Sequence, residues 1–178
     1  GNIVHHFYGG RGTRAIMVKN IEQVVENNLV VDCGIHSAVT FSPFMEPSWE
    51  MTIRHNIFAS TGDSGIPYAD MNNYCLTGKP FLDATVPAGA KGIREVDYNW
   101  IVPKDPNNPN PLAEKYQVDL HSTFAPEPIK RMKPDWDIQA GDYEITPKPS
   151  WWQPIDCSQI GLRKDFPFDK LAVTRRGV

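Results

Sequence analysis

Hydrophobic positions in this chain fall in short runs, each too short for a helix and each closed by asparagine, glycine or proline. Three of these runs align. Asn2-Ile3-Val4-His5-His6, Asn28-Leu29-Val30-Val31-Asp32 and Asn56-Ile57-Phe58-Ala59-Ser60 each place an apolar pair behind an asparagine, with Gly9, Gly34 and Gly62 a few residues on. The asparagines are separated by 26 and 28 residues, inside the spacing of roughly 20–50 that marks a solenoid or array. A second set aligns Ala15-Ile16-Met17-Val18-Lys19 with Ala38-Val39-Thr40-Phe41-Ser42. Strand alternation turns Ile16, Val18, Val39 and Phe41 inward there, and Met17 and Thr40 outward. A third set aligns Glu22-Gln23-Val24-Val25-Glu26 with Glu50-Met51-Thr52-Ile53-Arg54. The pattern therefore predicts three short strands per repeat. One such repeat cannot bury its apolar face alone, whereas stacked repeats bury a continuous core and pair their backbone amides with the next repeat. An asparagine recurring at one bend is expected to accept left-handed backbone angles and to bond its counterpart one repeat on.

The repeat breaks between Gly62 and Ile93, in a long Gly-, Pro- and Asn-containing stretch with Tyr68, Tyr74 and Phe81. The chain thus divides into repeats over 1–62, an insertion loop over 63–92, and a last repeat with a capping segment over 93–178, all in one domain. Glu95-Val96-Asp97-Tyr98-Asn99-Trp100-Ile101-Val102 reads as the next strand, and the prolines from 104 to 111 as a surface loop. Residues 119–142 have no clear period and are expected to be mostly irregular, with one helical turn near Pro128-Ile129-Lys130-Arg131. The stretch from Leu171 to Val178 reads as a frayed end. Gly1-Asn2-Ile3-Val4 already lies inside the repeat pattern, so the expected partner of the first repeat is an N-terminal portion of the same protein, as a separate chain or a missing segment.

Composition supports the class. Sixteen prolines and thirteen glycines in 178 residues argue against a helical protein and for all-β structure with long loops. A net charge of −3 with interspersed signs offers no basic footprint for nucleic acid. No apolar run approaches the roughly 20 residues of a membrane span. Cys33, Cys75 and Cys157 are far apart and form no Cys-x-x-Cys pair, so they read as small buried hydrophobes rather than a zinc or redox motif.

These residues carry a resemblance. The segments Asn-Asn-Leu-Val-Val-Asp-Cys-Gly at 27–34 and Arg-His-Asn-Ile-Phe-Ala-Ser-Thr-Gly at 54–62 resemble repeats of right-handed parallel β-helix proteins, a superfamily that includes many polysaccharide lyases and glycoside hydrolases. Trp152-Gln153-Pro154-Ile155-Asp156-Cys157-Ser158-Gln159-Ile160-Gly161-Leu162-Arg163 is similar to the closing segment of secreted bacterial members, and Gly141-Asp142-Tyr143-Glu144-Ile145-Thr146-Pro147 resembles the strand that precedes it. The likeness covers most of 1–62 and 93–169. It implies a parallel β-helix with an irregular C-terminal cap, a secreted or periplasmic location, and a polysaccharide or oligosaccharide substrate. Fold alone does not select the reaction.

Candidate chemistry comes from the residues themselves. His6, Asp32 and Ser60 share one column of the alignment, each four residues after its asparagine. Stacked strands bring such a column to about 4.8 Å spacing, so His6 beside Asp32 is either an oriented acid–base pair or an ordinary surface hydrogen bond. His36, Glu46, Trp49 and Glu50 crowd one corner: two carboxylates suit a glycosidase and an indole suits a sugar face, although Pro43 and Pro47 equally mark a plain turn. Asp32, His36, Glu46 and Glu50 are the catalytic candidates, and His6, Arg11, Arg14, Trp49 and Tyr68 the substrate-binding ones. Hydrolysis by paired carboxylates leads. β-Elimination on a uronate glycan follows if Arg11, Arg14 and His6 line the cleft, and a non-catalytic glycan-binding or structural module is the rival of another class. Tyr8-Gly9-Gly10-Arg11-Gly12-Thr13-Arg14 lacks the setting of a phosphate loop. No metal or cofactor motif occurs. Trp151-Trp152 reads as the seal of a core end in preference to a sugar platform.

Overall fold

A computed structural model describes residues 1–6, 14–18, 22–33, 37–41, 50–59, 93–103, 106–109 and 117–156, with the backbone alone at 14, 17, 18, 37–41, 93 and 135. Within them the chain is all-β, built of parallel sheets with almost no helix. The strands are β1 (Ile3–His5), β2 (Arg14–Val18), β3 (Val24–Glu26), β4 (Leu29–Val31), β5 (Ser37–Phe41), β6 (Met51–Arg54), β7 (Ile57–Ala59), β8 (Ile93–Asp97), β9 (Trp100–Ile101), β10 (Thr123–Phe124), β11 (Ile129–Arg131) and β12 (Tyr143–Ile145). One sheet runs β1-β4-β7-β9-β10, a second pairs β2 with β5, and a third runs β3-β6-β8. All pairings within these three sheets are parallel, and the first six strands visit the sheets in strict rotation.

The registers match the aligned repeats. Ile3 pairs with Leu29 and Leu29 with Ile57, Ile16 with Val39, and Val24 with Thr52. The asparagines are bonded along the same direction. Asn2 Nδ2 donates to Asn28 Oδ1 at 2.9 Å, Asn28 Nδ2 to Asn56 Oδ1 at 2.9 Å, and Asn56 Nδ2 to Asn99 Oδ1 at 3.0 Å. Beyond Asn99 the row ends on Ser122 and Asp119. Ser122 Oγ accepts the Asn99 amide at 2.9 Å, and Asp119 accepts from both Asn99 Nδ2 and Ser122 Oγ.

The left-handed residue is the one before Asn28, Asn56 and Asn99: Asn27, His55 and Tyr98 have φ of 54°, 54° and 55°. The ladder residues themselves are free to extend into the strand. Two further columns of left-handed residues mark the other bends, His6 with Asp32 and Glu22 with Glu50. Of these seven, Glu22, Glu50 and Tyr98 belong to types that rarely visit this region, so the neighbouring repeats must hold their strained angles.

Several expectations need correction. The stretch from Glu95 to Val102 is not one strand but two, β8 and β9, in different sheets with left-handed Tyr98 between them. The segment near Pro128 to Arg131 is no helical turn. It is β11, paired antiparallel with β12 so that Ile129 meets Ile145. Its residues alternate between partly buried and exposed, which suits a hairpin lying on a surface. The insertion 63–92 and the end from 171 to 178 lie outside the described residues.

Both faces of the first sheet are buried, which explains its unbroken apolar runs. Val30 and Phe58 form one buried column with Ile101, while Leu29, Val31, Ile57 and Ala59 on the opposite face are covered by Trp152. Ile129, Tyr143, Ile145, Trp151 and Ile155 complete that cover. The tryptophan pair therefore covers the flank of a sheet and not a core end. Its anchor is the left-handed corner: Asn27 exchanges two 3.0 Å hydrogen bonds with the Gln153 backbone, and Trp151 stacks on His55 at 5.3 Å. Among the described residues no helix is long and apolar enough to cross a membrane.

Candidate functional site

Where the strands of the first sheet end, the column of His6 and Asp32 meets the C-terminal hairpin. Asp32 is 6% exposed and left-handed. Arg131, on β11, grips it with two nitrogens: Nε donates to Oδ2 at 2.8 Å and Nη2 donates to Oδ1. The remaining guanidinium nitrogen Nη1 donates to Glu127 at 2.5 Å. Tyr143, on β12, donates its hydroxyl to Asp32 Oδ2 at 3.0 Å, and the same oxygen lies 3.4 Å from His6 Nδ1. His5 Nδ1 is 3.0 Å from His6 Nδ1, so one imidazole donates to the other, and Tyr143 stands edge-on to His5 with ring centroids 5.5 Å apart. Antiparallel pairing places Arg131 opposite Tyr143, which is why both side chains reach the same carboxylate.

The electrostatics follow from this packing. Burial raises the Tyr143 phenol well above its ordinary value, and its hydrogen bond to Asp32 raises it further. Burial and the neighbouring His6 lower His5, with Asp32 opposing them. The Asp32 hydrogen bond, against burial and assisted by Glu127, raises the Arg131 guanidinium. The result is a protonated phenol and a neutral imidazole beside a clamped ion pair. Tyr143 also lines a cavity of about 380 Å³ with Ile3, Leu29, Glu144, Lys148 and Trp152.

The sequence candidates fall into three groups. His6 and Asp32 are brought together, joined through Tyr143. Glu50 belongs to a different sheet: it stands just before β6 and accepts from Arg94 Nε at 2.9 Å, while Arg94 Nη2 reaches Glu22 at 3.2 Å. The backbone of Arg14 pairs with Ser37 in the second sheet. His36, Glu46, Arg11, Trp49 and Tyr68 lie outside the described residues. Tyr143, Arg131, Glu127 and His5 are not among the candidates read from the sequence. Arg131 and Tyr143 are 99 and 111 residues from Asp32, and no local spacing links them.

Elsewhere, charges on the third sheet alternate across strands. Arg54 bridges Glu26 and Glu95, and Arg94 bridges Glu22 and Glu50, with most of these side chains well exposed. At the next corner Asp97 Oδ2 is 2.6 Å from His121 Nδ1, and His121 stacks on Tyr98 at 5.3 Å. Cys33 is buried, its thiol donating to the Val31 carbonyl at 3.1 Å. Among the described residues no three of His, Cys, Asp and Glu converge as metal ligands. Comparison with family models, with curated proteins and with solved structures finds no match in any of the three.

Proposed function

We propose that this chain is part of a right-handed parallel β-helix enzyme that cleaves a polysaccharide in a secreted or periplasmic setting. The solenoid reading is supported by the rotation of strands among three parallel sheets and by the asparagine ladder. For the reaction, β-elimination on a uronate-containing glycan fits the described residues better than hydrolysis by paired carboxylates. One observation carries this choice: His5, His6 and Tyr143 touch one another and Tyr143 lines a cavity, whereas Asp32 and Glu50 are each held by an arginine. Neutral His5 takes the proton α to the uronate carboxyl, the glycosidic C–O bond at the β carbon breaks as the C=C double bond forms, and the imidazolium returns the proton to the departing sugar oxygen, while the Tyr143 hydroxyl, its own proton held by Asp32, positions the histidine pair. Asp32 with Arg131 orients Tyr143 and keeps the hairpin seated.

The test is turnover of uronate-containing and neutral polysaccharides, read both by ultraviolet absorbance of an unsaturated product end and by released reducing ends. Elimination gives both signals. Tyr143→Phe and His5→Gln should then each lower kcat by about 10²–10⁴ with the fold retained. Reducing ends without ultraviolet absorbance would transfer the assignment to hydrolysis, and an inert wild type would leave a glycan-binding or structural module.

A further inference from the structure

An extended strand sends successive side chains to opposite faces, so adjacent histidines ordinarily meet different neighbours. His5 and His6 depart from this rule. His5 is the last residue of β1, and His6 turns left-handed with φ of 50°, which brings its ring round to that of His5. The two Nδ1 atoms stand 3.0 Å apart, with the rings at 89° to each other. Tyr143 supplies a third donor atom. Its hydroxyl oxygen lies 3.4 Å from His6 Nδ1, and its proton is committed to Asp32 Oδ2 at 3.0 Å, which leaves the oxygen's lone pairs for the histidine side. Both histidines are only partly buried, so a hydrated ion can reach them.

A neutral imidazole carries one proton and one bare nitrogen. Across the 3.0 Å gap one Nδ1 therefore holds a proton and the other accepts it. Moving that proton to the outer Nε2 of the donating ring bares both Nδ1 atoms without changing the number of protons bound. The spacing then suits a metal ion. Zinc bonds imidazole nitrogen at about 2.0–2.1 Å, which sets neighbouring ligand atoms of a tetrahedron about 3.3 Å apart, and the two distances here fall on either side of that value. The electrostatics select among ions. Arg131 already neutralises Asp32, so the site offers lone pairs and little net negative charge. Imidazole nitrogen suits zinc, copper and nickel, whereas calcium and magnesium seek oxygen ligands.

We propose that His5 Nδ1, His6 Nδ1 and the Tyr143 hydroxyl oxygen form a binding site for a zinc ion, and that zinc held there switches the site off. The two imidazoles are the principal ligands, the phenol oxygen is a weaker third, and water completes the shell. Asp32 keeps the phenol oriented from behind, and Arg131 keeps Asp32 in place. The inhibitory part rests on the elimination reading given above. With zinc on both Nδ1 atoms, each imidazole keeps its single proton on Nε2. His5 then has no lone pair left to take the proton α to the uronate carboxyl, and turnover stops until the ion is withdrawn.

The test is calorimetric titration of the whole chain with zinc chloride, with cobalt as a visible-absorbance probe of the same site and calcium and magnesium as comparisons. One zinc ion should bind per chain, in preference to calcium and magnesium. His5→Gln and His6→Asn, the latter chosen because asparagine accepts the left-handed angle, should each weaken binding by about tenfold or more. Tyr143→Phe should weaken it less. His121→Gln, at the far corner beside Asp97, should leave zinc affinity unchanged. Zinc should also abolish ultraviolet-detected turnover, and a chelator should restore it. Zinc binding with these residue dependences in a chain that turns over no uronate glycan would uphold the site and remove only the reaction assigned to it. Absence of zinc binding by the folded chain, binding indifferent to both histidine variants, or equal affinity for magnesium would overturn the site. Full elimination activity at saturating zinc would overturn the switch.

Discussion

Asn56→Ala is the sharpest test of the asparagine ladder as a structural device. Asn56 is fully buried, and its carboxamide makes five hydrogen bonds. Nδ2 donates to the carbonyls of Val25 and Arg54 at 2.9 Å each and to Asn99 Oδ1 at 3.0 Å, while Oδ1 accepts the Asn28 amide and Nδ2. Truncation removes both acceptor positions from Asn28, whose backbone amide is buried and has no water to turn to. An orphaned buried donor costs about 1–3 kcal/mol, so two of them put the loss near 4 kcal/mol before any change at the carbonyls. In a domain of this size that corresponds to a fall in Tm of about 8–16 °C. Asn2→Ala in the same column removes one part-buried bond at an exposed position, and should cost about 1 kcal/mol or less. Urea unfolding reads both, provided the m-value is unchanged so that the midpoint shift reports stability. The difference between the two sites is the informative quantity. If Asn56→Ala and Asn2→Ala lowered stability equally, within 0.5 kcal/mol or so, the ladder would not be acting as a buried network.

Arg131→Ala should destabilise by about 3–5 kcal/mol, because it leaves Asp32 buried without its cation, and Arg131→Lys should recover little since an ammonium cannot reproduce the two-nitrogen grip. Chemical unfolding of both variants beside Asp32→Asn decides this. For His5 the folded-state value is lowered, so its neutral form contributes stability in full above the ordinary value of 6.5. That contribution is lost as pH falls through 6.5 towards the folded value, and His5→Gln should flatten the stability slope across this window. At the Asp97–His121 corner, burial pushes the Asp97 carboxyl up, but the His121 ring and backbone bonds outweigh it and the net shift is downward. Its contribution is present above the ordinary 3.8 and lost as pH falls below it, so wild type and Asp97→Asn should converge in stability in strong acid, and a constant difference down to the lowest pH would contradict the pairing.

The strand registers were legible in the sequence for a physical reason. When parallel strands stack, a residue's neighbour lies one repeat away in the same position, so spatial contact is written as periodicity. The pairings of Ile3 with Leu29, Ile16 with Val39 and Val24 with Thr52 could be read by aligning the repeats, and so could the bonding of Asn2, Asn28 and Asn56. The shared column of His6 and Asp32 was readable on the same ground. Periodicity does not report backbone sign, which is why the left-handed angle was expected at the asparagine and sits one residue earlier, where the bend has to be made. It also reports nothing about residues that belong to no repeat. Glu127, Arg131 and Tyr143 come from a hairpin that folds back across about a hundred residues of chain, and only tertiary packing sets them around Asp32. The same packing decided that Trp152 covers the flank of the first sheet, because that sheet's apolar residues alternate to both faces and the outer face required a cover.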